Sequence, residues 1–158
     1  MRRREFIAGL GSAAAWPVVA RAQQPALPLV GLLWIGSPDE AREAVTALKQ
    51  GLADAGLVEG RNFAFEYRWA DNDLLLGAAL AADLVRRRVA VIVTSGTPAA
   101  LAAKAATMDI PVLFNTGGDP VALGLVTSLN RPGANVTGIA NLIYRASWLR
   151  NNCNCFAS

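Results

Sequence analysis

Three times in this chain an apolar run ends in a polar residue and a proline: Ser37-Pro38, Thr97-Pro98 and Asp119-Pro120. A polar N-cap followed by proline at the first helical position starts a helix. An uninterrupted apolar run of strand length is what a parallel strand buried on both faces requires. Strand, cap and helix repeated in that order leave few options beyond an α/β layer.

The remaining elements fall between these marks. Residues 29–35 read as the first strand, and Ser37 and Glu40 make a capping box for the helix after it. Ala41, Ala44, Val45, Leu48, Leu52 and Ala55 recur at helical spacing, and Gly56 stops that helix. Residues 62–69 alternate, with Phe63, Phe65, Tyr67 and Trp69 on one face and Glu66 and Arg68 on the other, as an edge strand does. Asp71 and Asp73 read as turn and helix-start residues. Residues 74–88 read as a helix with Leu75, Ala78, Ala82 and Val85 inward, closed by Arg86, Arg87 and Arg88 where cations suit the helix dipole. Strands at 89–94, 111–115 and 136–140 follow, with helices expected at 97–107 and from Asp119-Pro120 to about Leu129. The pattern predicts five parallel strands with right-handed crossovers, helices on both faces and the order 2-1-3-4-5.

Charge and composition exclude several functions. Of 158 residues, 53% are hydrophobic and 17% charged, which argues against disorder. The net charge of +3 comes from Arg2, Arg3, Arg4 and Arg21 against Glu5; from residue 23 onward 11 basic residues balance 11 acidic ones. The basic excess therefore belongs to the N-terminus and gives no nucleic-acid footprint. No histidine is present, which removes the commonest general base and metal ligand and makes a Ser-His-Asp triad impossible. No Walker A sequence occurs. No acidic cluster follows the first strand, so a phosphorylated receiver domain is also excluded. The two cysteines, Cys153 and Cys155, stand one residue apart, so a mutual disulfide would be strained. Catalysis is thus poorly supported, and no cofactor or metal is expected.

The first 22 residues carry an address. A positive start is followed by a small-residue apolar stretch and Ala20-Arg21-Ala22, the layout of a cleavable secretory signal. That stretch is too short for a membrane span. Arg3-Arg4-x-Phe6-Ile7 has the form of a twin-arginine signal, with the general secretory route as the alternative. Gly9-x-Gly11-x-x-Ala14 matches a dinucleotide fingerprint in spacing alone, since no strand precedes it.

The candidate site lies where the helices begin. Open α/β sheets bind ligands at the carboxyl edge of their strands, and free N–H groups at helix N-termini favour an anion there. Ser37, Ser95, Thr97 and Thr116 offer hydroxyl groups; Gly96 and Gly117 let backbone approach a ligand; Asp119 is placed to hold an ammonium group. Trp34 and Trp69 are candidates to stack on a ring. Simple helix capping is the competing account of each polar residue.

Several segments resemble one bacterial family: the leader, Val58-Glu59-Gly60-Arg61-Asn62, Glu66-Tyr67-Arg68-Trp69-Ala70, Gly118-Asp119-Pro120-Val121 and residues 129–138, Leu-Asn-Arg-Pro-Gly-Ala-Asn-Val-Thr-Gly. Over residues 1–141 the chain is similar to ABC transporter substrate-binding proteins related to the tryptophan/tyrosine-binding type. The resemblance implies a type I periplasmic-binding-protein fold of two α/β lobes that trap a small solute by hinge closure and deliver it to an inner-membrane ABC permease. It implies a periplasmic protein with no chemical turnover; no cysteine directly follows the expected cleavage site, so a lipid anchor on the mature N-terminus is not expected. The ligand-facing turns would be those at Ser37, at Ser95, Gly96 and Thr97, and from Thr116 through Gly117 to Asp119. Family members are about twice as long. Here residues 23–141 would form the first lobe, residues 142–158 an aberrant tail without clear periodicity, as a shifted reading frame would leave, and the second lobe would be missing. A lone lobe would bury less of a ligand and bind weakly. An extracytoplasmic sensory or partner-binding lobe and an α/β enzyme remain the alternatives.

Overall fold

The computed structural model describes residues 27–131 and 133–141. The leader and the tail from residue 142 lie outside them. Strand β1 (Leu29–Trp34) leads into helix α1 (Pro38–Asp54), then β2 (Ala64–Trp69), α2 (Leu74–Arg86), β3 (Val91–Ser95), α3 (Thr97–Ala106), β4 (Val112–Thr116) and β5 (Val136–Ala140). The strands form one sheet in the order β2-β1-β3-β4-β5, and every neighbouring pair is parallel. This is the expected order, with β2 at the edge.

Helix α1 begins as its sequence dictates. Ser37 Oγ accepts from Glu40 N–H, Glu40 Oε2 accepts from Ser37 N–H, and Pro38 opens the helix. It ends in a Schellman turn: Leu57 N–H donates to Leu52 O and Gly56 N–H to Ala53 O, with Gly56 at φ 82°. Asp73 caps α2, accepting from the N–H groups of Leu75 and Leu76, after a turn in which Asp71 and Asn72 take φ values of 46° and 67°.

The two sheet faces are packed differently. Toward α2 and α3, Leu33, Leu84, Ile92, Val112 and Val136 are fully buried. Gly31 makes this fit possible, because a Cβ there would stand 3.0 Å from both Leu84 methyl carbons. Toward α1, Leu32, Phe63 and Phe65 are buried, with Val45, Leu48, Tyr67 and Trp69 packed partly against them. The β2 aromatic row forms as its alternation predicts: Phe63 meets Phe65 edge-on, and Trp69 stacks on Tyr67 at 5.8 Å. On the opposite face of β2, Glu66 and Arg68 join Asp83, Arg86 and Arg87 in one ion-pair network. Arg86 and Arg87 of the arginine run are thus paired at the helix end, and Arg88 takes φ 54° just past it. The hydrogen bond from Arg68, then that from Arg86, holds the Asp83 carboxyl down at about 2.

Two expectations are corrected. The inward face of α2 is Gly77, Ala81 and Leu84; Leu75 is 85% exposed and Ala78 is exposed. The helix is rotated so that Leu84 fills the space over Gly31. No helix forms after Asp119-Pro120. Asp119 caps a single turn, Gly124 then takes φ 68°, and the reversal drops Leu125 and Val126 into the core. Burying those two side chains outweighs prolonging a helix that would carry them past the sheet.

Candidate functional site

The carboxyl ends of all five strands point to one edge, which carries every turn singled out in the sequence. The helix starts there are not equivalent. Ser37 caps α1, Asp73 caps α2 and Asp119 caps the turn after β4, so each of these side chains is engaged by its own backbone. Helix α3 is different: its N-cap is Gly96, at φ 88°, and no side chain caps it. The expectation that Thr97 caps this helix is overturned. Thr97 is already the first helical residue, and its hydroxyl lies 2.7 Å from the buried Thr116 hydroxyl across the β3–β4 gap. Thr116 Oγ1 also accepts from Gly118 N–H at 3.3 Å.

The structure therefore brings Ser95, Gly96, Thr97 and Thr116 together, with Gly117 in the loop beside them. Among the described residues no side chain caps the first-turn amides of α3, Pro98 having none. Unsatisfied amides at the positive end of a helix, next to two hydroxyl groups, suit a carboxylate. Ser37 sits at the same edge after β1 but keeps its acceptor for capping. Asp119 likewise spends one oxygen on the N–H groups of Val121 and Ala122.

Beside this edge, on the α1 face, a pocket of about 340 Å³ runs down the sheet. Trp34, Val45, Leu48, Val93, Leu113 and Ile139 give it apolar walls. Its upper rim is polar: Ser95, Asn115 and Asn141. Asn141 Nδ2 donates to Asn115 Oδ1 at 2.8 Å, and Asn141 N–H donates to Thr116 O. Of the two tryptophans singled out, Trp34 lines the pocket, whereas Trp69 packs on Tyr67 and Val45 near the edge. The two asparagines were missed in the sequence because asparagine at a strand end reads as a turn former. The signal was the alternation in β4, where Val112, Phe114 and Thr116 are buried and Leu113 and Asn115 are not. Among the described residues no group of three or more metal-ligating side chains forms, and no helix is long and apolar enough to cross a membrane.

An open parallel sheet with an uncapped helix N-terminus and a part-apolar pocket at its carboxyl edge is an arrangement suited to holding a small molecule. Residues 29–146 match the model of the family described as ABC transporter substrate binding protein, and the chain belongs to that family. It is 36% identical over 94 residues to a tyrosine-binding protein of Clostridioides difficile (strain R20291), a match covering 60% of this chain and 27% of that protein. Among solved structures it is similar to a ligand-free, open substrate-binding protein with adhesive properties from Clostridium difficile (TM-score 0.67, 30% identity, 72% of this chain and 39% of that one). It is also similar to an ABC domain in complex with L-Trp from Streptococcus pneumoniae (TM-score 0.67, 28% identity, 73% and 39%). A conserved domain protein from Vibrio cholerae aligns with a TM-score of 0.71 at 30% identity, covering 78% and 42%. The chain thus spans about a quarter of the curated relative and about two fifths of each solved one.

Proposed function

We propose that this chain supplies the first lobe of an exported solute receptor, which holds the carboxylate of an amino acid, or of a similarly small carboxylic acid, at the start of α3. The observation that carries the reading is the uncapped N-terminus of α3, flanked by Ser95 and the Thr97–Thr116 hydroxyl pair. The relatives named for tyrosine and bound to L-Trp support an amino acid as the solute class. In this reading the solute is bound and released unchanged, in the periplasm, for delivery to an ABC permease. The lobe supplies one wall of the cleft, and a second lobe of the kind the longer relatives carry would supply the other. Residues 1–22 act as the export leader.

Two measurements test this. Calorimetry of the full chain against the twenty amino acids should give binding, and Thr97→Val combined with Thr116→Val should weaken it by an order of magnitude or more. Silence across the panel, or binding untouched by the double substitution, would remove the proposed site. Intact-mass analysis of the protein from its native host should give the mass of residues 23–158 if the leader is cleaved there; an uncleaved mass would overturn the export reading.

A further inference from the structure

The strand register lines up a row across the sheet at its carboxyl end. Trp34 pairs in register with Ser95, and Ser95 with Asn115; Asn141, one residue past β5, reaches Asn115 by its side-chain amide. Neighbouring strands lie about 4.8 Å apart, so the row places an indole, a hydroxyl and a carboxamide at successive steps of that size, and the Asn141 carboxamide joins the last of them at 2.8 Å. All four line the same pocket, and among the described residues no charged side chain does.

The internal bond decides what the row can offer. A carboxamide has two donors on nitrogen and one acceptor oxygen. Asn141 Nδ2 donates one of its two N–H groups to Asn115 Oδ1, which leaves Asn115 Nδ2 as a donor and Asn141 Oδ1 as an acceptor, side by side, with a second Asn141 N–H pointing away from that bond. Among the described residues neither has a protein partner. A partner that satisfies both must present an acceptor beside a donor. A carboxamide does this in its plane. A carboxylate does not, because its second oxygen would face Asn141 Oδ1 with no proton between them. An ammonium group finds an acceptor there but no counter-charge, and desolvating it beside neutral walls is unfavourable.

We propose that the Asn115–Asn141 pair is a specificity element that selects a solute with an uncharged carboxamide on its side chain. This rests on the carboxylate site at α3: the solute's carboxylate sits at α3 and its far end reaches across the row. Ser95 stands between the two and serves either end.

Glutamine and glutamate are nearly isosteric and differ in the group the pair reads, so they are the probes. Calorimetry on the full chain should show glutamine binding at least about tenfold tighter than glutamate, the discrimination expected when a site built for a hydrogen-bond donor meets an analogue lacking it. Asn141→Leu should bring that ratio close to one, by weakening glutamine and relieving glutamate; Asn115→Asp should turn the preference toward lysine. A ratio near one in the wild type, or a ratio that survives Asn141→Leu, overturns the proposal. If other amino acids bind and respond to Thr97→Val with Thr116→Val while glutamine does not bind, the carboxylate site stands and the carboxamide element falls. If no amino acid binds, both fall together.

Discussion

The two faces of this sheet were built from equally apolar strands, yet one is closed and the other is open. On the α2–α3 face, glycine at position 31 lets a helix come close enough for Leu84 to be fully buried, and the reversal at Gly124 adds Leu125 from above. Among the described residues a single helix, α1, covers β1 and β2 on its face of the sheet, and only one of its residues, Ala41, is fully buried. Beyond it, Leu113 is 41% exposed and Ile139 66% exposed over a 340 Å³ pocket. Stability is therefore concentrated on one face, while binding groups are gathered at the rim of the other. Regions that bind are drawn from the less tightly packed parts of a fold.

The largest expected effect tests the closed face. Leu84→Ala removes a fully buried side chain wedged over Gly31, and such truncations cost about 2–5 kcal/mol. Denaturant unfolding of the full chain measures it. A cost under about 1 kcal/mol would mean that this face collapses easily around a void, and the contrast between faces would vanish.

Acid separates the ionic seam of the closed face from the rest. Asp83, about one quarter exposed, is held at about 2 by Arg68 first and Arg86 next. Its folded pKa lies below its unfolded one, so its contribution is present above pH ~4 and is lost as pH falls toward 2. Melting temperatures of wild type and Asp83→Asn should differ at neutral pH and converge between those limits. Parallel curves would show that the network adds nothing to stability.

The caps give a finer comparison. Asp73→Ala and Ser37→Ala each remove a side-chain cap worth about 1 kcal/mol. Because α2 is locked by Ala81 and Leu84, the loss of Asp73 should appear in global unfolding. Because α1 buries only Ala41, the loss of Ser37 should appear as faster amide exchange within α1. Equal global losses would mean that α1 is as firmly seated as α2.

How far the sequence revealed this follows from where polar residues mark a surface. The two faces of strand β2 were legible, since Glu66 and Arg68 label one and Phe65, Tyr67 and Trp69 the other, although the strand begins at Ala64 rather than Asn62. The phase of α2 was not, because residues 74–82 are all apolar or glycine and no charge labels the outer side. Tertiary contacts set the rotation, among them Leu84 over Gly31 and Gly77 against Ile35. The stretch after Asp119-Pro120 has a helical start, and what stops it is a tertiary gain, the burial of Leu125 and Val126. At the site, Ser37, Asp73 and Asp119 were identifiable as caps. That Gly96 rather than Thr97 begins α3, and so leaves its amides free, depends on the Thr97–Thr116 bond between residues 19 apart. Such a bond has no local signature.

The smallest expected effect is the most informative about the open face. Ile139→Ser alters a side chain that already meets solvent over two thirds of its surface, so unfolding free energy should stay within about 0.5 kcal/mol of wild type. Leu113→Ser, on the neighbouring strand, should cost little more. If instead either substitution costs about 2 kcal/mol or more, as burial of a large aliphatic side chain would require, the face is covered in solution and the pocket is filled. The Asn115–Asn141 rim would then border a packed interior, and the proposed reach of a solute across it would have no room. A near-zero cost, by contrast, leaves the polar rim standing over an accessible apolar floor, where a solute anchored at α3 can lie against Trp34.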